Sequence, residues 1–207
     1  DPKETGSHVN RVASYSVEIY DRWAFKHNID KDESNRFRDA FRIAAMLHDV
    51  GKVGISDLVL KKPGKFTEEE YQIIKGHTYI GAILFKNKQS SFDSMAMDVA
   101  LHHHERWDGK GYPGKIDINN IDIEKPSEIV AEPMSGEEIP LSARIVAVAD
   151  VFDALSSQRV YKKAWTEEEV LNEIKAQSGK QFDPEIVDIF LELVPQIKAI
   201  QNTWPDL

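Results

Sequence analysis

Residues Ala44 to Lys52 read Ala-Ala-Met-Leu-His-Asp-Val-Gly-Lys, an apolar helical run that stops abruptly at His48, Asp49 and a glycine turn. An imidazole beside a carboxylate at the end of a buried helix makes a metal corner, because nitrogen and oxygen donors are held there rigidly and can share an ion. Candidates to complete the shell lie on both sides: Glu4 and His8 upstream, then His77, the triplet His102-His103-His104, and Asp150 inside an Ala-rich apolar run. That is more than one ion needs.

Working outward, a helix is expected from about Ser34 to His48, with Ala40, Ile43, Ala44 and Leu47 as its inward stripe. Gly51 allows the sharp exit, and Lys52 is left beside the corner, placed to meet an anion. Before it, the spacing of Val9, Val12, Ala13, Val17 and Tyr20 predicts a helix from Glu4 to about His27. Glu4 and His8 are one turn apart on it, so they either ligate together or form a salt-linked surface pair. Downstream, Thr67-Glu68-Glu69-Glu70 reads as a capping box opening a helix that carries His77 deep in its length, with Ile73, Ile80, Ile83 and Leu84 as its apolar face. A core or surface histidine is the other reading of His77.

The next helix runs from about Phe92 into the histidine triplet. Consecutive helical residues point roughly 100° apart, so the three rings cannot converge on one centre, and one is expected to be a bystander. The loop that follows, dense in glycine and proline around Tyr112, lets backbone approach a ligand. Leu141 to Leu155 reads as a strongly apolar helix carrying Asp150, whose buried carboxylate wants a cation, either an ion or Arg144. Thr166 caps one more helix, and Asp183-Pro184 opens the last. The expectation is a single all-α domain of about seven helices.

Composition narrows the chemistry. The 207 residues contain no cysteine, so any metal must be bound by nitrogen and oxygen, which suits a reducing, cytoplasmic compartment. A net charge of -9 argues against nucleic-acid binding, and no apolar run approaches the roughly 20 residues that span a bilayer. The chain starts at Asp1 without a start methionine, which suggests a C-terminal module with an upstream sensory domain.

Taken together, His48-Asp49 with Gly51-Lys52, His77, His103-His104-Glu105, Gly111-Tyr112-Pro113 and Asp150 in Ala-Asp-Val-Phe-Asp-Ala-Leu resemble the HD-GYP domain, a branch of the HD superfamily of metal-dependent phosphohydrolases. The similarity covers nearly the whole chain, from Glu4 through Phe182-Asp183-Pro184, and residues 1–207 are expected to form one catalytic domain. It implies an all-α HD-type bundle that hydrolyses cyclic di-GMP to pGpG or on to GMP. It also implies His48, Asp49, His77, His103, His104 and Asp150 as metal ligands with Asp49 bridging, His8 as a further ligand, and Glu4 as the ligand of a third ion. Lys52 would contact a phosphate, Arg159 and Lys162 would hold the substrate, and Tyr112 belongs to the signature loop, a contact surface for protein partners. The chain departs from the pattern at Lys115 to Ser135, a polar, acidic insertion expected to loop near the pocket mouth, and at Val160, where the family commonly has proline.

Ions about 3.5–4 Å apart can share a water and lower its pKa, so that hydroxide attacks the phosphodiester without a protein nucleophile. Glu105 or Asp153 would accept from the outer ring nitrogens of the ligand histidines. With imidazole and carboxylate donors only, two or three divalent ions are expected, iron before manganese, with zinc also compatible. Three classes of function remain: a cyclic di-GMP phosphodiesterase, a module that binds nucleotide and partner but turns over weakly, and an HD phosphohydrolase acting on another nucleotide such as cyclic GMP-AMP.

Overall fold

The computed structural model describes residues 6–87, 89–123, 129, 131–157 and 165–205, and among them ten α-helical segments and no strand. α1 (Gly6–Lys26) is the central pillar, burying Val12, Ala13, Tyr15, Ile19 and Tyr20. α2 (Lys31–Met46) starts three residues earlier than its periodicity suggests, because the Asp30 carboxylate accepts from the amides of Asp32 and Glu33 and so caps the first turn. α3 (Asp57–Leu60) is a single turn. α4 (Glu68–Lys75), α5 (His77–Ile83), α6 (Ser91–His102), α7 (Leu141–Ser156), α8 (Glu167–Ala176), α9 (Pro184–Glu192) and α10 (Val194–Thr203) complete the order.

The seven expected helices are present, and three details differ. The helix capped by Thr67 breaks at Gly76, so His77 opens α5 instead of lying deep in a longer helix. That break shifts the phase of the apolar face: Ile73 and Leu84 lie at the surface while Tyr79 and Ala82 turn inward. The last helix breaks after Leu193, and α10 follows with proline in its first turn. In α2 the inward stripe is Phe41, Ala44 and Ala45, and Ile43 is exposed.

One apolar core joins α1, α2, α6, α7, α8, α9 and α10 through side chains such as Tyr15, Phe41, Val99, Ile145, Val148, Ile174, Ile189, Phe190 and Ile197. Each large aliphatic or aromatic group withdrawn from water contributes roughly 1.5–3 kcal/mol. A second cluster, built on Tyr79, Ala82 and Leu101, is completed by Ile116, Ile118, Ile121 and Ile129. These four isoleucines belong to the insertion, which sequence alone presents as polar. Its base is closed by an antiparallel bridge between Lys115 and Glu132, directly after Gly114. None of the described helices is long and apolar enough to cross a membrane.

One polar network runs through the core. The Arg11 guanidinium donates to both oxygens of Asp153 at 2.6 and 2.9 Å, to the carbonyl of Trp204 at 2.7 Å and to Ser157 Oγ at 3.0 Å. It ties α1 to α7 and to the end of α10. Burial, the largest influence on Asp153, opposes its charge, yet the hydrogen bond from His8 and the Arg11 guanidinium outweigh it and hold the carboxyl below its usual range.

Removing Arg11 leaves a carboxylate that is 1% exposed without its cation. Arg11→Met is therefore expected to cost about 3–5 kcal/mol in chemical denaturation, and the double variant with Asp153→Asn to recover part of that loss. Because the folded-state pKa of Asp153 lies below the unfolded one, its contribution is complete above about pH 4 and is lost as pH falls through the lower folded value. Denaturation midpoints measured against pH should show that acid-side loss in the wild type and a smaller one in the double variant.

Candidate metal centre

The ends of α2 and α6, the starts of α1 and α5 and the middle of α7 meet at one place. The α2 helix stops at Leu47, and His48 and Asp49 occupy the turn before a 3-10 segment at Val50–Gly54. His77 is the first residue of α5, His103 caps α6, and His104 follows it. His8 on α1 and Asp150 on α7 face this turn from the opposite side.

Three of the rings are oriented by main chain. His48 Nδ1 meets the Ala45 carbonyl at 2.8 Å, His77 Nδ1 the Ile74 carbonyl at 2.6 Å, and His103 Nδ1 the Val99 carbonyl at 3.0 Å. A carbonyl only accepts, so each Nδ1 carries the proton and each Nε2 is turned to the centre. His8 differs: its Nδ1 meets the Asp153 carboxylate at 2.8 Å. Of the two acidic acceptors expected for the outer nitrogens, Asp153 serves and Glu105 does not. Glu105 instead accepts from the Gly114 amide at 2.5 Å.

The inward atoms fall into two groups. Asp49, His77, His103 and His104 each offer a donor atom within 4.8 Å of the others, and so do His8, His48 and Asp150. Asp49 Oδ1 lies 3.2 Å from His77 Nε2 and 3.7 Å from His103 Nε2, while its Oδ2 lies 3.3 Å from His48 Nε2. One carboxylate thus faces both groups with different oxygens. Arg144, the alternative partner for Asp150, is engaged with Asp183 at 2.6 Å. His102 is the triplet member directed elsewhere, toward Glu105 at 3.7 Å. Glu4, Arg159 and Lys162 lie outside the described residues.

These donors suit a divalent ion. His77 Nε2 and His103 Nε2 are 3.4 Å apart, and with both Nδ1 protons committed to carbonyls, neutral rings there oppose two bare lone pairs. His48 Nε2 and Asp49 Oδ1 are buried with no hydrogen-bond partner. Burial, and then the electrostatic influence of His103, lowers His77 to about 4, and the same two causes hold His104 well below its ordinary value, so both stay neutral. For Asp49, burial opposes ionisation but the neighbouring His48, His103 and Lys52 outweigh it and keep the carboxyl well below its usual range. His48 goes the other way: burial disfavours its charge, yet Asp49, Asp150 and the Ala45 carbonyl raise it to about 9.

Close backbone packing sets the spacing. A Cβ at Gly51 would overlap the His77 carbonyl oxygen and the Gly81 amide nitrogen, so the glycine is needed for the approach of α5 more than for the turn. Lys52 Nζ donates to Asp49 Oδ2 at 2.7 Å. The Gly-Tyr-Pro loop folds back on the end of α6: a Cβ at Gly111 would meet the backbone of Glu105 and Arg106, and the Tyr112 ring stacks on His104 with centroids 4.9 Å apart. Arg11, Tyr71 and Lys75 escaped notice in sequence. Arg11 could have been found as the residue one turn after His8 on the same face.

A family profile described as HD domain matches residues 5–155, and a second HD domain profile matches residues 132–186. The chain is 37% identical to the 3'3'-cGAMP-specific phosphodiesterase 2 of Vibrio cholerae over 99% of its length and 34% of that protein's. It is 39% identical to a cyclic di-GMP phosphodiesterase of Thermotoga maritima, covering 98% of the chain and 48% of the relative. Over 76% of the chain and 37% of the relative it is 46% identical to the cyclic di-GMP phosphodiesterase response regulator RpfG of Xanthomonas campestris. The chain thus spans between a third and a half of these relatives. Among solved structures, a cyclic GMP-AMP specific phosphodiesterase of V. cholerae superposes with a TM-score of 0.59 at 19% identity, covering 96% of this chain and 49% of that one. The HD domain of the L. monocytogenes phosphodiesterase PgpH, in complex with cyclic-di-AMP, superposes with 0.53 at 19% identity, covering 97% and 91%.

At pH 7.5, below the value of about 9 for His48, the metal-free ring holds a proton that an ion must displace. Titration of metal-free protein with Mn²⁺ should release about one proton per protein from this ring, read as a calorimetric heat that scales with the ionisation enthalpy of the buffer. Heats independent of the buffer would contradict the assignment.

Proposed function

The chain belongs to the HD domain family, and on that premise we propose that it is a metal-dependent phosphodiesterase that hydrolyses cyclic di-GMP to pGpG or on to GMP. The observation that carries this reading is Asp49, whose two carboxylate oxygens face two separate sets of buried donors. His77, His103 and His104 would hold one ion with Asp49, and His8, His48 and Asp150 the other. Glu4 would serve a third. Iron fits this nitrogen and oxygen set best and manganese next. Such ions, when bound, supply Lewis acidity and an activated water.

The chain's own groups do the rest. Asp49 spaces the two sets, and the carbonyl-anchored rings keep their lone pairs aimed inward without rearrangement. Lys52, held 2.7 Å from Asp49, can exchange that carboxylate for a phosphate oxygen as negative charge develops there. Arg159 and Lys162 would grip the substrate, and Tyr112 would border it. We read residues 1–207 as one cytoplasmic catalytic domain with a loop insertion at 115–135, fed by an input domain elsewhere in its protein, and the Gly-Tyr-Pro loop as its surface for protein partners. A second reading, with cyclic GMP-AMP as the preferred substrate, is supported by the likeness to the V. cholerae enzyme specific for that nucleotide.

Hydrolysis of cyclic di-GMP, cyclic GMP-AMP, nucleoside triphosphates and guanosine tetraphosphate by metal-loaded protein tests the proposal, and turnover confined to the last two would refute it. Asp49→Ala should fold, lose metal by elemental analysis and fall below about 1% of wild-type activity. With metal content matched, Lys52→Ala should lower kcat by roughly ten- to a hundredfold, whereas Arg159→Ala and Lys162→Ala should mainly raise KM.

A further inference from the structure

Beside the metal centre stands a cluster that the catalytic reading does not use. Tyr71 and Lys75 lie one turn apart on α4 and therefore share a face. Lys75 Nζ sits 4.6 Å from the centroid of the Tyr71 ring and 5.5 Å from that of Tyr112. The two tyrosine rings meet edge to face at 6.4 Å, and Tyr112 in turn stacks on His104. Aromatic surface therefore runs from a candidate metal ligand out to Tyr71, which is 41% exposed. In a chain of net charge -9, Lys75 makes no ion pair with a carboxylate among the described residues.

A cation resting on an exposed ring is a common surface contact of modest strength. Two features set this one apart. Lys75 spans rings from two separate elements, α4 and the Gly-Tyr-Pro loop, so its position is fixed from both sides. The rings also connect it to the place where a phosphodiester would be cleaved, only two ring-to-ring steps away. Resting on ring faces leaves its N–H donors without a carboxylate to satisfy them.

We propose that Tyr71 and Lys75 form a nucleobase subsite that selects a guanine base of the substrate. Tyr71 supplies a flat surface for any base, since every base has a π-face. Lys75 supplies donors to the edge where guanine carries two acceptors, N7 and O6, and where adenine puts an amino group beside N7. The subsite thus favours guanine-containing cyclic dinucleotides over cyclic di-AMP. The inference rests on the phosphodiesterase reading for its kinetic consequence, and on direct nucleotide binding independently of it.

Two measurements on metal-matched protein test it. In steady-state kinetics Lys75→Met should raise KM for cyclic di-GMP about tenfold with kcat within about twofold, leave cyclic di-AMP nearly unchanged, and so collapse the preference; Lys75→Arg should restore it. Tyr71→Ala should raise KM for both substrates, and Tyr71→Phe for neither. Calorimetric binding of GMP and AMP reads the subsite without turnover: wild type should bind GMP about tenfold tighter, and Lys75→Met should lose that difference. Loss of the GMP preference in a protein that cleaves no cyclic dinucleotide would keep the subsite and remove the proposed function. Unchanged KM and unchanged GMP preference in Lys75→Met would overturn the subsite and leave the function standing.

Discussion

Bare lone pairs packed against one another are what this structure has to manage. His77 Nε2 and His103 Nε2 stand 3.4 Å apart, with Asp49 Oδ1 3.2 Å from the first. In an apolar interior such a grouping needs positive charge or hydrogen-bond donors to compensate it, because an unpaired buried polar atom costs on the order of 1–3 kcal/mol. The rest of the molecule supplies the rigidity that keeps these atoms from relaxing apart. α1, α2, α5 and α6 begin or end at the centre and α7 passes it with Asp150, so each donor is fixed by an element that is itself anchored in the core.

The same arrangement explains where packing is tightest. Gly51 sits directly against the backbone of α5, and a Cβ at Gly81 would come within 3.2 Å of the Ala100 Cβ on α6, closer than an ordinary contact. Backbone-to-backbone contact fixes His77 relative to Asp49 more firmly than side-chain packing could, since side chains retain rotamer freedom. On the far side, Arg11 and Asp153 clamp α1 to α7 and so hold His8 against Asp150. Two different devices therefore position the two donor groups, one steric and one electrostatic.

Much of this was legible in the sequence because metal chemistry needs particular residue types at helix ends. His48-Asp49, the histidine triplet and Asp150 stand out within apolar runs, and the all-α class follows from periodicity. Local pattern could not reveal what depends on contacts far along the chain. The break at Gly76 is invisible to a capping signal nine residues earlier, and it alone rotates Tyr79 and Ala82 inward. Ile43 fits an inward stripe by spacing, yet Phe41 is larger and wins the core. The isoleucines of the 115–135 insertion are diluted among charges and gain meaning only against Leu101 and Tyr79. Glu105 looked like an acceptor for histidine, but the preceding helical turn already provides carbonyls, and its carboxylate is taken by the Gly114 amide.

That last point bears on how such a centre can change over generations. Where a ring is steered by the main chain of the preceding turn, as for His48, His77 and His103, neighbouring side chains can drift freely without turning it. His8 is steered by a side chain, Asp153, which depends on Arg11 in turn. Heritable variation in metal affinity therefore has a narrow route into this fold, along the seam between α1 and α7, while the half of the centre built on Asp49, His77 and His103 is buffered against it.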